Sequence, residues 1–431
     1  MNVRALPPLQ GLCDRHEHVV LLWDERIQGR SLLGIGKKRR LLVESSRPGD
    51  WSAWNAFIDE TQKQSSWAFG WLGYDLHESL GLLDDNQRHQ TIPSHPGGWP
   101  LMCWWEPEIV VEWASGVADP QIVAGITHPW AFDIMQLLTS SDEERKRSST
   151  EAEGDWAPLE ACWTQEAYHA KFNEVHRALQ RGDIYEMNLC MPWTGKAPAY
   201  ASWSIFERLA SHTKAPYSAY VQAGPWRTIC ASPERYLAKR GNTLHSHPIK
   251  GTVKRGKTKE EDQALKQALA SSEKERAENV MIVDLVRNDL SRIAAPNSVT
   301  VDELFGIHTF STVHQMISSI SCTLTENVSP LEIMRATFPM GSMTGAPKLS
   351  AMRHIAALEE SGRGIYSGTI GYVSPDGDWD LNVVIRSLMH RADTGRVDAT
   401  FGGAITLLAN AENEYQECLL KAEALRECMA R

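Results

Sequence analysis

Short apolar runs separated by turn-forming residues dominate the first third of the chain. Val19–Trp23, Leu41–Val43, Trp67–Tyr74 and Ile109–Val111 each predict a strand. Between Gln165 and Arg181 the rhythm changes: Tyr168, Phe172, Val175 and Leu179 recur at helical spacing and stop before Gly182. Asp183–Leu189 and Thr228–Ala231 return to a strand pattern, the second ending at Ser232-Pro233-Glu234. From Lys259 to Asp284 an apolar stripe through Leu265, Leu269, Val280 and Val283 predicts one long helix. A short helix is predicted over Pro330–Thr337, and Pro347 opens another that runs to about Glu360. Ile365–Val373 and Asp378–Arg386 predict a hairpin about Pro375-Asp376-Gly377. Ala399–Ile405 reads as a further strand, and Asn413–Met429 as a closing helix.

Residues 139–159, rich in Ser and Glu, carry no apolar period and predict a linker or disordered loop. The expected organisation is therefore an N-terminal region (1–138), this linker, and a C-terminal region (160–431).

Composition narrows the function classes. With 42% apolar and 23% charged residues over 431 positions, the chain suits a soluble globular protein. A formal charge of −10 argues against general binding to nucleic acid or anionic membranes. An anionic substrate would then need Lys, Arg or a metal placed locally. No apolar run is long enough to span a bilayer, and Pro7-Pro8 interrupts the start before an export segment forms. Eight scattered cysteines without a C-x-x-C pair fit a reducing compartment and no zinc site, so a cytoplasmic protein is expected. Cys13-Asp14-Arg15-His16-Glu17-His18 beside a strand start suits capping and solvation better than a metal.

Candidate chemistry centres on His247-Pro248-Ile249-Lys250-Gly251-Thr252-Val253-Lys254-Arg255-Gly256. Proline and two glycines predict a strand leaving its sheet through a shaped loop that presents Lys250. A lysine partly desolvated there can be neutral and nucleophilic; a basic surface loop is the plain alternative. Glu234 is a candidate proton-transfer partner across adjacent strands. Two carboxylate pairs at i, i+3, Glu275 with Glu278 and Glu414 with Glu417, each share a helix face. Facing one another they could hold a hard cation such as Mg²⁺; singly, such pairs are common on solvated helices. Arg386 suits either a carboxylate clamp or a structural ion pair. The loop Gly341–Gly345 leading into a helix, and Gly402-Gly403, allow backbone approach to a ligand. His314 alone reads as a core histidine.

Taken together, Pro248-Ile249-x-Gly251-Thr252, Asp284-Leu285-x-Arg287-Asn288-Asp289-Leu290, Gly345-Ala346-Pro347-Lys348, Ile385-Arg386-Ser387 and the Glu414/Glu417 pair resemble the chorismate-utilising enzymes. The resemblance covers about residues 160–431, with Phe69–Tyr74 a looser match in the N-terminal region. It implies an α+β fold in which two antiparallel sheets pack face to face with helices outside. Lys250 resembles the branch that aminates chorismate at C4 for p-aminobenzoate and folate synthesis; the anthranilate, isochorismate and salicylate branches carry Ala there. A non-catalytic chorismate-binding paralogue is the alternative from another class.

The resemblance implies Mg²⁺ held by Glu278 and Glu417 with Glu275 and Glu414 organising its waters, Lys250 as nucleophile and Glu234 as acid. It implies Tyr366 and Arg386 as clamps on the enolpyruvyl carboxylate and Gly402 as a backbone contact. Thr252, Ser342 and His314 would line the pocket, and Lys421 would approach the ring carboxylate. Two positions depart from the family: Ala404 replaces a usual glycine, and Glu186 stands where Gln is common. No glutaminase module is visible, so a separate glutamine amidotransferase subunit is expected to supply ammonia. Some relatives hold tryptophan in an N-terminal pocket whose motif Leu41–Ser46 loosely resembles, making tryptophan a further expected ligand.

Overall fold

The computed structural model describes residues 4–26, 28–47, 49–82, 95–139 and 155–430. Residues 140–154 of the expected linker lie outside them. Strand pairing builds two sheets, antiparallel throughout. The first runs in the order Gly345–Ala346, Glu186–Lys196, Arg396–Thr406, Ser387–Arg391, Trp226–Ser232, Tyr217–Ala223, His18–Trp23, Ser31–Ile35, Ile109–Trp113, Gln121–Ala124. The second runs Ile249–Lys254, Val313–Thr323, Thr243–His247, Arg235–Arg240, Trp379–Asn382, Thr369–Val373, Ala68–Leu72, Met102–Glu106, Arg39–Val43. Strands from both sides of the 139–159 segment therefore share each sheet.

Side-chain alternation sorts the layers. On Glu186–Lys196, Met187, Leu189 and Met191 join an apolar cluster with the helices Gln165–Arg181, Ala201–Thr213 and Ala411–Met429. Glu186, Asn188 and Cys190 occupy the opposite face, and Cys190 joins a cluster that unites residues of both sheets. That cluster holds half of the indoles: Trp54 packs edge to face on Trp104 and on Trp379, each at 5.9 Å between centroids. Trp51, Trp54, Trp99, Trp104 and Trp105 of the N-terminal region are thus core residues.

Three local expectations are corrected. Lys250 lies on an edge strand, Ile249–Lys254, rather than in a loop beyond the sheet; the pairing with Val313–Thr323 slips between Ile249 and Thr252, where Gly251 takes φ +85. The tract from Lys259 is two helices, Lys259–Ser271 and Glu273–Ser291, because Ser272 leaves helical geometry and its side chain caps the second at Glu275 N. Arg386 does not end a strand. The hairpin strand stops at Asn382, and Arg386 adopts φ +53 where the chain passes from one sheet to the other.

This passage is one of two adjacent crossings. Trp226–Ser232 in the first sheet continues through Glu234 into Arg235–Arg240 in the second, and Trp379–Asn382 returns through Arg386 to Ser387–Arg391. Val383 N donates to Glu234 O at 3.0 Å, and Ala231 N donates to Arg386 O at 3.1 Å, so the crossings are stitched together.

Candidate active site

The crossings set Glu234 beside the edge strand that carries Lys250. Burial pushes the Glu234 carboxyl up to about 7, opposed by the Ser342 hydroxyl, the Lys250 ammonium and the Ile249 backbone N–H. A carboxyl of this kind holds a proton near neutrality, which suits a general acid.

Lys250 is largely but not fully buried, and it is not isolated. Its Nζ donates to Glu186 Oε1 at 2.6 Å, across the gap between the two sheets. Burial works downward on the ammonium, yet Glu186, Glu278 and Glu234 outweigh it and raise its pKa. The expectation of a neutral, desolvated amine is corrected accordingly: the resting lysine is an ammonium in an ion pair. Glu186 was visible only as a departure from the family pattern. The signal that could have marked it is a carboxylate on the inward parity of an otherwise apolar strand.

The two acidic helices approach from different layers. Glu278 is buried and its pKa is raised to about 7 by burial, with Lys250 opposing and Glu186 adding to the rise. Glu278 Oε1 has no hydrogen-bond partner, and Lys274 Nζ stands 3.9 Å away, beyond hydrogen-bond reach. Glu414 is buried and raised by burial and by Glu417. For Glu417 burial works upward, but Lys421, at 2.6 Å, brings its pKa below the ordinary value. Each helix meets a glycine. A Cβ on Gly251 would lie 3.0 Å from Glu275 Oε2, and one on Gly403 would lie 2.7 Å from Glu414 Oε2. Both glycines therefore leave room for a carboxylate against strand backbone.

Among the described residues no three His, Cys, Asp or Glu side chains converge as a closed metal-binding group. The donor set nevertheless fits a hard cation that keeps water and substrate oxygens: carboxylates only, one with an orphaned buried oxygen, and two cradled under glycine.

Arg386 is partly buried near Tyr366 and Glu417; burial lowers its pKa and those two groups oppose the shift. Among the described residues no acceptor claims its guanidinium, so its donors are free for an anion. Tyr366 is buried, its hydroxyl 3.9 Å from Cys190 Sγ. Lys421 Nζ donates to Gly402 O at 2.7 Å, tying the closing helix to the strand that carries Gly402 and Ala404. Ser342 is buried beside Glu234. Thr252 is exposed, its hydroxyl 3.5 Å from Gln315 Nε2. His314 is engaged on both nitrogens, by Thr309 at 3.0 Å and Asp262 at 2.9 Å, which leaves neither free for a ligand. Leu41–Val43 form the outermost strand of the second sheet, Leu41 pairing with Trp104, while Glu44 and Ser45 are exposed.

Two framework pairs escaped the sequence reading. Lys348 donates to Asp289 Oδ2 and to the carbonyls of Thr337 and Pro339, joining two of the recurrent motifs beneath the Gly341–Met343 turn. Arg363, wholly buried, pairs with Glu359 at 2.7 Å and donates to Met343 O and Asn188 O. It fastens the strand of Glu186 to the loop of Ser342.

The edge-strand lysine, Glu234 and Arg386 at the two crossings, and the two acidic helices thus gather cationic donors and carboxylates in one part of the sandwich. The chain belongs to the chorismate binding enzyme family, whose match spans residues 18–427. Among curated relatives, aminodeoxychorismate synthase component 1 of Salmonella typhimurium is 33% identical over 83% of this chain and 75% of its own length. Aminodeoxychorismate synthase of Streptomyces griseus is 41% identical over 62% of this chain, which spans only 37% of that longer protein. The crystal structure of anthranilate synthase component I from Streptococcus pneumoniae superposes with a TM-score of 0.76 at 23% identity, covering 92% of each chain. That last likeness shows the fold: two antiparallel sheets with helices outside.

Proposed function

We propose that this protein aminates chorismate at C4, yielding 4-amino-4-deoxychorismate for p-aminobenzoate and folate synthesis. The observation that carries the reading is Lys250, partly buried at the sheet edge beside Glu234. Relatives named for aminodeoxychorismate synthesis, one of them a component 1, support the reaction and a second component. That partner would be a glutamine amidotransferase releasing ammonia. The eight unpaired cysteines support a reducing, cytoplasmic setting, and no helix among the described residues is long and apolar enough to cross a membrane.

Glu278 and Glu417 would hold Mg²⁺, with Glu275 and Glu414 orienting its waters. Bound there, the ion would neutralise the ring carboxylate and draw electron density toward it. Arg386 and Tyr366 bind the enolpyruvyl carboxylate, and Lys421 and the Gly402 backbone border the ring end. Lys250, once deprotonated, forms the Nζ–C2 bond; the diene electrons shift toward C4, and the C4–O bond breaks as Glu234 protonates the leaving hydroxyl to water. Ammonia then bonds to C4, the electrons shift back, and the C2–Nζ bond breaks. The enolpyruvyl group stays in place.

The test is product identification. Purified protein with chorismate, Mg²⁺ and ammonium should form a compound that an aminodeoxychorismate lyase converts to p-aminobenzoate. Anthranilate or isochorismate as the product would overturn the reading.

A further inference from the structure

We propose that Glu186 is the proton acceptor that converts the Lys250 ammonium into the attacking amine. The inference deepens the reading above and rests on Lys250 being the nucleophile. Among the described residues Glu186 is the one acid within ion-pairing distance of Nζ, at 2.6 Å. The other acids acting on Lys250 are Glu278 and Glu234, with weaker influence between Lys250 and Glu414 and Glu417. Glu278 and Glu417 are assigned to the cation, Glu414 to its waters, and Glu234 to the departing hydroxyl, so none of them is left for the amine. Lys274, next to Glu278, and Lys421 and Arg386, both facing Glu417, are the cations nearby.

Placement favours transfer over a static pair. Glu186 is held on both sides by strand pairing, to Ala346 and to Thr406, so its carboxylate is carried on a rigid frame. Its side chain is fully buried, and its second oxygen, Oε2, has no hydrogen-bond partner. Oε2 therefore keeps lone pairs that no donor of the described residues claims, beside an Oε1 already in line with an Nζ–H. The step balances: one Nζ–H bond breaks, an O–H bond forms on Glu186, and the freed lone pair bonds to C2. When ammonia expels the lysine, the proton held on Glu186 returns to Nζ and restores the ion pair. Glutamine at this position could hold the lysine but could not take its proton.

The test compares Glu186→Gln, Glu186→Ala and Lys250→Ala, using the full protein with chorismate, Mg²⁺ and ammonium. Glu186→Gln should lower kcat by roughly ten- to a hundredfold, at or below the usual range for a positioned proton acceptor because water can still take the proton. KM for chorismate should stay within about threefold, since the residue is assigned no substrate contact. Formate, small enough for the vacated space, should restore activity to Glu186→Ala but not to Glu186→Gln. A merely structural residue would show no such rescue. Unchanged kcat in Glu186→Gln, or no formate rescue in folded Glu186→Ala, would overturn the inference while leaving the nucleophile intact. Full amination by Lys250→Ala would instead overturn the nucleophile reading itself.

Discussion

Gly403 and Glu414 share one volume: a methyl group on residue 403 would stand 2.7 Å from the Glu414 carboxylate and 3.9 Å from that of Glu417. The obstructed atom is the end of a flexible side chain, so Gly403→Ala should fold while pushing that carboxylate aside. We expect Mg²⁺ affinity to fall at least about tenfold, equivalent to about 1.4 kcal/mol, with stability changed by less than about 1 kcal/mol. Calorimetric titration with Mg²⁺ alone checks this, and an unchanged affinity would remove Glu414 from the cation's surroundings.

The pH profile should be a narrow bell. Glu278 and Glu234 are both raised to about 7 by burial, but the mechanism needs Glu278 as an anion and Glu234 protonated. Activity should therefore decline below about 7 as Glu278 takes a proton, and decline above it as Glu234 loses one. Raising Mg²⁺ should move the acid limb to lower pH and leave the alkaline limb in place. Stability carries the same signature with its own sign. Between the ordinary value of 4.5 and about 7 the folded, metal-free protein holds protons that the unfolded chain has released, so stability falls as pH rises through that window. Thermal melts of metal-free protein that gained stability from pH 5 to 7 would contradict this.

Removing Lys348 should unfold the region around the turn without touching substrate. Its ammonium supplies the ion-pair partner of the buried Asp289 and satisfies two carbonyls. Lys348→Met would strand a buried carboxylate, at an expected loss of roughly 3–5 kcal/mol in urea denaturation. Adding Asp289→Asn should recover part of that loss.

Arg386→Ala should raise KM for chorismate by about one to two orders of magnitude, the size of a lost charge-assisted hydrogen bond. Arg386→Lys should restore little, because an ammonium cannot present two parallel donors to one carboxylate. Residue 386 has φ +53, so Arg386→Gly serves as the control that separates backbone strain from the lost charge. KM unchanged from that of the parent protein in all three variants would place the enolpyruvyl carboxylate elsewhere.

What the sequence made legible was what is local. The helix Gln165–Arg181 follows from its apolar spacing and the left-handed Gly182 that ends it. The two glutamate pairs follow from helical geometry alone. The break at Ser272 did not stand out, since apolar residues continue on either side and only the turned backbone reveals the cap. The partnership of Lys250 with Glu186 lay beyond reach for a different reason: they stand 64 residues apart on different sheets, and no sequence pattern sets how two sheets align. The free state of the Arg386 guanidinium was hidden likewise, because it depends on which acids the closing helix brings near.

The two-sheet partition has a consequence for any attempt to trim the protein. The strands before residue 139 extend both sheets on the side remote from Lys250, next to Tyr217–Ala223 in one and Thr369–Val373 in the other. A fragment beginning after that residue would keep every reactive group yet bare two long ladders of unpaired amides and carbonyls over a greasy interior. Such a piece is more apt to precipitate than to function, so the first third acts as a lateral seal on both sheets.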